Sequence, residues 1–159
     1  MKYLINNTMK TIKFIGVYQI FGGILGIGLT GWLMFNTEVL NGPMLFIFTL
    51  ALFLYGFSIQ SGSLLLQKSK QKKGLIFSSI LQGVQIIAIG IGKYSYDFSS
   101  GAKGAIGFNF GNGFDFNFGV LSSFHFKINS GVPEYFIKFN ILAMVIFSIL
   151  IEIILRKKN

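Results

Sequence analysis

The chain reads as an integral membrane protein, mainly α-helical. Four transmembrane helices are expected, with a small antiparallel β-meander at about 94–128 on the outer side, between the third and fourth helix. Three observations predict this. Of the 159 residues, 52% are hydrophobic and only 12% charged, with a mean hydropathy of +0.65. A soluble domain carries roughly 25% charged residues, so this chain lacks the polar side chains to cover a water-soluble globule. Four apolar runs of 18 to 23 residues punctuate it, and between the last two lie about forty residues whose apolar positions alternate. The apolar content excludes disorder. The absence of cysteine excludes a disulfide scaffold, thiolate catalysis and Cys-ligated zinc.

The runs are Phe14–Phe35, Met44–Leu66, Leu75–Gly92 and Tyr135–Leu155. Each is near the ~20 residues a helix needs to cross a hydrocarbon core of ~30 Å, where backbone groups must be satisfied internally. The first follows a basic stretch, but it is too long for a cleaved leader and reads as a retained span. Trp32 and Phe35 close the first helix and Tyr135 opens the fourth, as interfacial aromatics do. Pro133 suits a first helical position, with Glu134 beside it at the positive end of the helix dipole. Glu134–Lys138 and Glu152–Arg156 have i,i+4 spacing, the favourable order for helical ion pairs. The whole chain, 1–159, is then one helical membrane domain with a β insertion at 93–132.

A net charge of +9 suggests nucleic acid until its distribution is read. Lys2, Lys10 and Lys13; Lys68, Lys70, Lys72 and Lys73; and Arg156, Lys157 and Lys158 form three clusters, each abutting an apolar run. Glu38, Asp97, Asp115 and Glu134 sit in the alternate loops. That is the positive-inside pattern of a plasma (inner) membrane protein with both termini cytoplasmic, and it argues against a nucleic-acid partner. The abundance of Phe, Ile, Lys and Asn suggests a bacterial, AT-rich source.

In the outer segment the even positions from Ile106 to Ile128 are apolar except Asn112 and Ser122, and the odd ones are small or polar except Leu121. Period-two alternation predicts strands with one covered face. Loops at 111–113 and 121–123 keep the faces consistent, pairing Phe110 with Phe114, Phe108 with Phe116, Ile106 with Phe118, Val120 with Phe124 and Phe118 with Phe126. A loop at 99–105 pairs Phe98 with Ile106. The four strands, at about 94–98, 106–110, 114–120 and 124–128, share one aromatic face. Tyr96, Phe98, Phe108, Phe110, Phe114, Phe116, Phe118 and Phe126 make this the candidate outer contact face. Water does not tolerate so large an apolar patch, so the helices, the lipid, a second copy or a partner must cover it. A lid over the chain's own helices is the plainest arrangement.

Within the spans, Ser78, Gln82 and Gln85 form a polar stripe on the third helix, which Gln19 and Gln60 can meet. These five residues are candidates for a polar lining; interhelical hydrogen bonding is the favoured explanation, since glutamine is neutral and no ionisable residue lies mid-membrane. Gly22 and Gly26 form a GxxxG, and with Gly83 and Gly90 they are candidate helix-packing positions. No Gly cluster is followed by the Lys-Ser/Thr of a phosphate loop. His125, the only histidine, falls on the polar sheet face with Asp97, Asn109, Asp115 and Asn117, a set without calcium-loop spacing that reads as a solvated face. No Ser/His/Asp set, HExxH or carboxylate pair is present, so neither a catalytic residue, a metal nor a cofactor is expected.

The function expected is a non-enzymatic accessory or interaction protein of the plasma membrane, contacting lipids and presenting the aromatic sheet or a helix face to a protein partner or a second copy. The alternative is a small solute carrier or oligomeric pore lined by the stripe of the third helix.

Overall fold

The computed structural model describes the backbone of residues 2–38, 40–129 and 132–156, and side chains from Thr8 onward. The Lys2 side chain, Lys157 and Lys158 of the basic clusters lie outside the described residues. In order, the elements are α1 (Lys2–Phe35), α2 (Gly42–Leu66), a 3-10 turn (Lys68–Lys70), α3 (Gln71–Ile86), β1 (Ile87–Gly92), β2 (Tyr94–Ser99), β3 (Lys103–Asn109), β4 (Gly113–Gly119), β5 (Ser123–Lys127), β6 (Glu134–Asn140) and α4 (Ile141–Arg156).

The first two runs are helices as expected. Asn41 caps α2 by accepting from the Met44 N–H at 3.0 Å, with Pro43 in the first turn where its missing N–H costs nothing. The four-span arrangement is not what forms. Among the described residues only Thr8–Phe35 and Gly42–Leu66 are helices long and apolar enough to cross a membrane. α3 and α4 have 16 residues each, or about 24 Å, short of a bilayer core.

The third run, expected to be helical over 75–92, turns into strand β1 at Ile87, and the fourth, expected from Tyr135, is strand β6 as far as Asn140. The physical reason lies in the side chains. Ile87, Ile89 and Ile91 alternate with Ala88, Gly90 and Gly92, and Tyr135, Ile137 and Phe139 alternate with Phe136, Lys138 and Asn140. These stretches pair with each other, Ile87 opposite Phe139 through Gly92 opposite Glu134. Branched and aromatic residues at every second position suit a pleated surface, but an apolar run by itself does not separate strand from helix. Pro133 therefore precedes a strand rather than opening a helix, and Glu134 and Lys138 lie in β6 rather than forming a helical pair. α4 is capped instead by Asn140, whose Oδ1 accepts from the Ala143 N–H at 3.3 Å. Glu152 and Arg156 do pair at i,i+4.

The sheet is six-stranded, in the order β4-β3-β6-β1-β2-β5, not a four-stranded meander. β6 and β1 insert between β3 and β2, so Phe98 pairs with Phe124 and Tyr96 with Phe126, while Ile106 pairs with Phe116 and Phe139. The β3–β4 hairpin keeps a three-residue loop, but at 110–112 rather than 111–113, so Phe108 faces Phe114. Gly113, at φ 86°, sets that position: it is the residue able to take the left-handed conformation at the hairpin exit.

Chain reach dictates the shape. β4 and β5 are the two edges, and a flat six-stranded sheet would hold them about 24 Å apart. Yet Gly119 ends β4 and Ser123 begins β5, a reach of at most about 14 Å. The sheet must therefore curl into an incompletely closed barrel, tightest at the end carrying Gly119, Ser123, Ser99 and Lys103. Here this end is termed the base and the other the tip.

The helices pack at two levels. Ile12, Ile15, Leu65, Leu75, Leu150 and Ile153 form an apolar cluster toward the free ends of α1 and α4. Ala51, Tyr55, Leu81 and Phe98 form another that fastens the β2 side of the sheet to α2 and α3, with Tyr55 and Phe98 ring centroids 5.4 Å apart.

Candidate functional site: a polar hollow in an aromatic shell

Curling gives the two faces of the sheet opposite fates. Lys103 on β3 pairs with Asp97 on β2, and Lys127 on β5 pairs with Glu134 on β6. Each pair spans three strand intervals of the sheet order. Side chains reach across that separation only on a concave side. The polar face expected to be solvated is thus the inside of the curl, lined otherwise by small residues such as Ala88, Ser95, Ala105 and Gly107. Lys138 pairs with Asp115 across β3, and the His125 Nε2 lies 3.5 Å from the Glu134 carboxylate.

At the tip this hollow opens as a cavity of about 600 Å³, bounded by Asp97, Asn109, Asn112, His125, Glu134 and Lys138 among others. At the base, residues 99–102 cross beneath it and are tied to three helices. The Ser100 N–H donates to Gln85 Oε1 and the Ser100 hydroxyl to Ser58, each at 2.8 Å. The Ser58 hydroxyl donates to the Gln19 carbonyl at 2.9 Å, and Ser78 donates to Gln19 Oε1 at 2.8 Å. The Gly101 N–H donates to Ser122, which donates in turn to the Gly22 carbonyl at 2.6 Å. A continuous polar seam therefore descends from the hollow into the helices. It stops there, because the Ile12–Leu75–Leu150 cluster lies below it.

Of the five residues expected to make a polar lining, Gln19, Ser78, Gln82 and Gln85 are buried, and Gln19, Ser78 and Gln85 belong to this seam. Gln82 is 1% exposed, and its Nε2, like that of Gln19 and the Nδ2 of Asn140, has no hydrogen-bond partner among the described residues. Gln60 is exposed and stands apart. Of the packing glycines, Gly22 meets the 100–101 crossing, Gly26 meets the Tyr55 ring, and Gly83 lies near Phe147. Gly90 is a strand residue, not a helix-packing one, and leaves room inside the curl for the Phe136 ring.

The aromatic face is convex. A lid over the helices accounts for only its β2–β5 side: Phe98 is buried, Tyr96 donates to the Val84 carbonyl at 3.0 Å, and Phe126 packs edge-on against Tyr96. Phe108, Phe114, Phe116 and Phe118 are exposed, Phe114 by 75%. Phe110 belongs to the tip loop, edge-on to Phe108. Residues that the sequence reading left aside are Lys103, Lys127 and Lys138 as internal counter-ions. Lys127 shares the odd parity of Asp97 and Asp115, a usable signal; Lys138 was hidden by its apparently helical run.

Comparison with family models, with curated proteins and with solved structures finds no match for this chain.

Proposed function

We propose that the chain is a non-catalytic membrane protein whose role is contact. In this reading α1 and α2 cross the bilayer and the sheet presents its aromatic outer face to an apolar environment, as part of an accessory or scaffolding unit. The observation that carries the reading is the inverted polarity of the sheet, charged inside and aromatic outside, the reverse of a water-soluble barrel. The exposed surface of α2 supports it: Leu45, Phe46 and Phe53 stand out from the fold, unlike the side chains of a mostly buried core helix. Asp97, Asp115, Glu134 and Glu152 are each engaged in an ion pair, which gives each a structural role. The apolar cluster beneath the polar seam weighs against a continuous pore.

The test is extraction. Membranes containing the full chain, washed in alkaline carbonate, should retain it in the pellet, while a peripheral control protein is released. Release of the chain into the supernatant would contradict the reading.

A further inference from the structure

We infer that the convex aromatic face is immersed among lipid acyl chains in the outer half of the bilayer, and that the concave face is an aqueous vestibule opening outward. The inference rests on the reading of α1 and α2 as membrane-crossing helices.

Level is the first argument. The base of the sheet is fixed to the middle of α1, by Ser122 on the Gly22 carbonyl and by the Tyr18 hydroxyl donating to the Ala102 carbonyl at 2.9 Å. From Gly22 to Phe35 α1 rises about 20 Å, and strands of 5 to 7 residues rise about 17–23 Å before tilt. Strands rising from that level are long enough to reach the height at which α1 ends.

Continuity is the second. α3 runs without a loop into β1 after Ile86, and β6 runs without a loop into α4 before Ile141, so the sheet is a direct extension of the helices and not a separate body tethered to them.

Polarity decides the occupant. Ile106, Phe108, Phe114, Phe116 and Phe118 form a contiguous exposed surface on β3 and β4, larger than water tolerates. Near the tip the exposed rings are Tyr94 and Tyr135, and Trp32 is exposed near the outer end of α1; these are the residue types of an interfacial aromatic belt. The charges are turned inward and paired. An apolar shell around a polar hollow is the polarity of a sheet in lipid; the unpaired edges of β4 and β5 face each other across the slit of the curl, where water of the vestibule rather than lipid would meet their backbone groups.

The chain has no cysteine, so single cysteines can be spin-labelled without altering the background. Phe116→Cys and its neighbour Asn117→Cys, in the full chain reconstituted in phosphatidylcholine/phosphatidylglycerol vesicles, should give opposite collision accessibilities. Label 116 should meet oxygen and exclude an aqueous nickel chelate, as should Phe53→Cys on exposed α2; label 117 should favour nickel several-fold. Phe118→Cys replaces Phe116→Cys if the latter does not fold. Nickel access at 116 equal to that at 117, with 53 still in lipid, would place the sheet in water and overturn the inference alone. Shielding of 116 from both reagents would mean that a second copy or another protein covers it, which also overturns it. Nickel access at 53 would overturn the membrane reading itself.

Discussion

Asp97→Leu is expected to destabilise the protein by about 3–5 kcal/mol, the range for a buried ion pair that loses one member. The Lys103 side chain is only 6% exposed, and Asp97 is its ion-pair partner. Lys103→Met should cost less, because the remaining Asp97 is 19% exposed and borders the tip cavity, where water can solvate it. The double variant Asp97→Leu/Lys103→Met removes both charges and should recover most of the loss. Denaturant titration of the three variants in detergent measures this order. Equal and additive losses would mean that the two side chains do not meet inside the curl.

Gly22→Leu is the second large effect, at about 3–5 kcal/mol from overpacking together with broken hydrogen bonds. A Cβ at Gly22 would lie 2.6 Å from the Gly101 nitrogen and 2.7 Å from the Ser100 carbonyl carbon. Those are backbone atoms of a crossing held by Gln85, Ser58 and Ser122, so the crossing cannot move aside without losing its partners. The sheet would lift from α1, and the polar seam would open. Gly28→Ala in the same helix is the contrast. It meets nothing within 4 Å and should be neutral or slightly stabilising, since alanine favours helix by about 1 kcal/mol over glycine. The same titration compares them, and similar losses at both sites would show that position 22 is not a packing contact.

How much of this was legible in the sequence differs by element. α1 and α2 were, because their apolar runs are long and uninterrupted and the first closes on the interfacial aromatics Trp32 and Phe35. The aromatic parity of residues 94–128 was also legible, since a period of two survives a register slip of two residues; the error in the β3–β4 loop left every ring on its face. The partners of the strands were not. Short loops suggest neighbours, yet 100–102 and 120–122 are crossings over the base of a curl, and no local pattern distinguishes a crossing from a hairpin. β1 and β6 were hidden because continuous apolar runs satisfy a spanning helix and a strand alike. One cue was present: Gly92-Lys93 makes the two-residue turn between β1 and β2, with Gly92 at φ 62°. A turn just there, with Ile at every second position before it, reads as the close of a strand. The ion pairs followed from the curl and were invisible without it. The buried glutamines were foreseen as a stripe, but their tie to the 99–102 crossing depends on the sheet being seated on α1.

The most direct test of the account is a disulfide ladder between β1 and β6, the two strands taken from apparent helices. Opposed residues of an antiparallel pair have Cα atoms about 4.5–5.5 Å apart, within disulfide range. Ile87→Cys/Phe139→Cys, Ile89→Cys/Ile137→Cys and Ile91→Cys/Tyr135→Cys should therefore each cross-link under mild oxidation. The offset pair Ile87→Cys/Tyr135→Cys should not. Cross-linking restricted to one of the three opposed pairs, with partners recurring at a spacing of three to four residues, would return both segments to helices and remove the curled sheet.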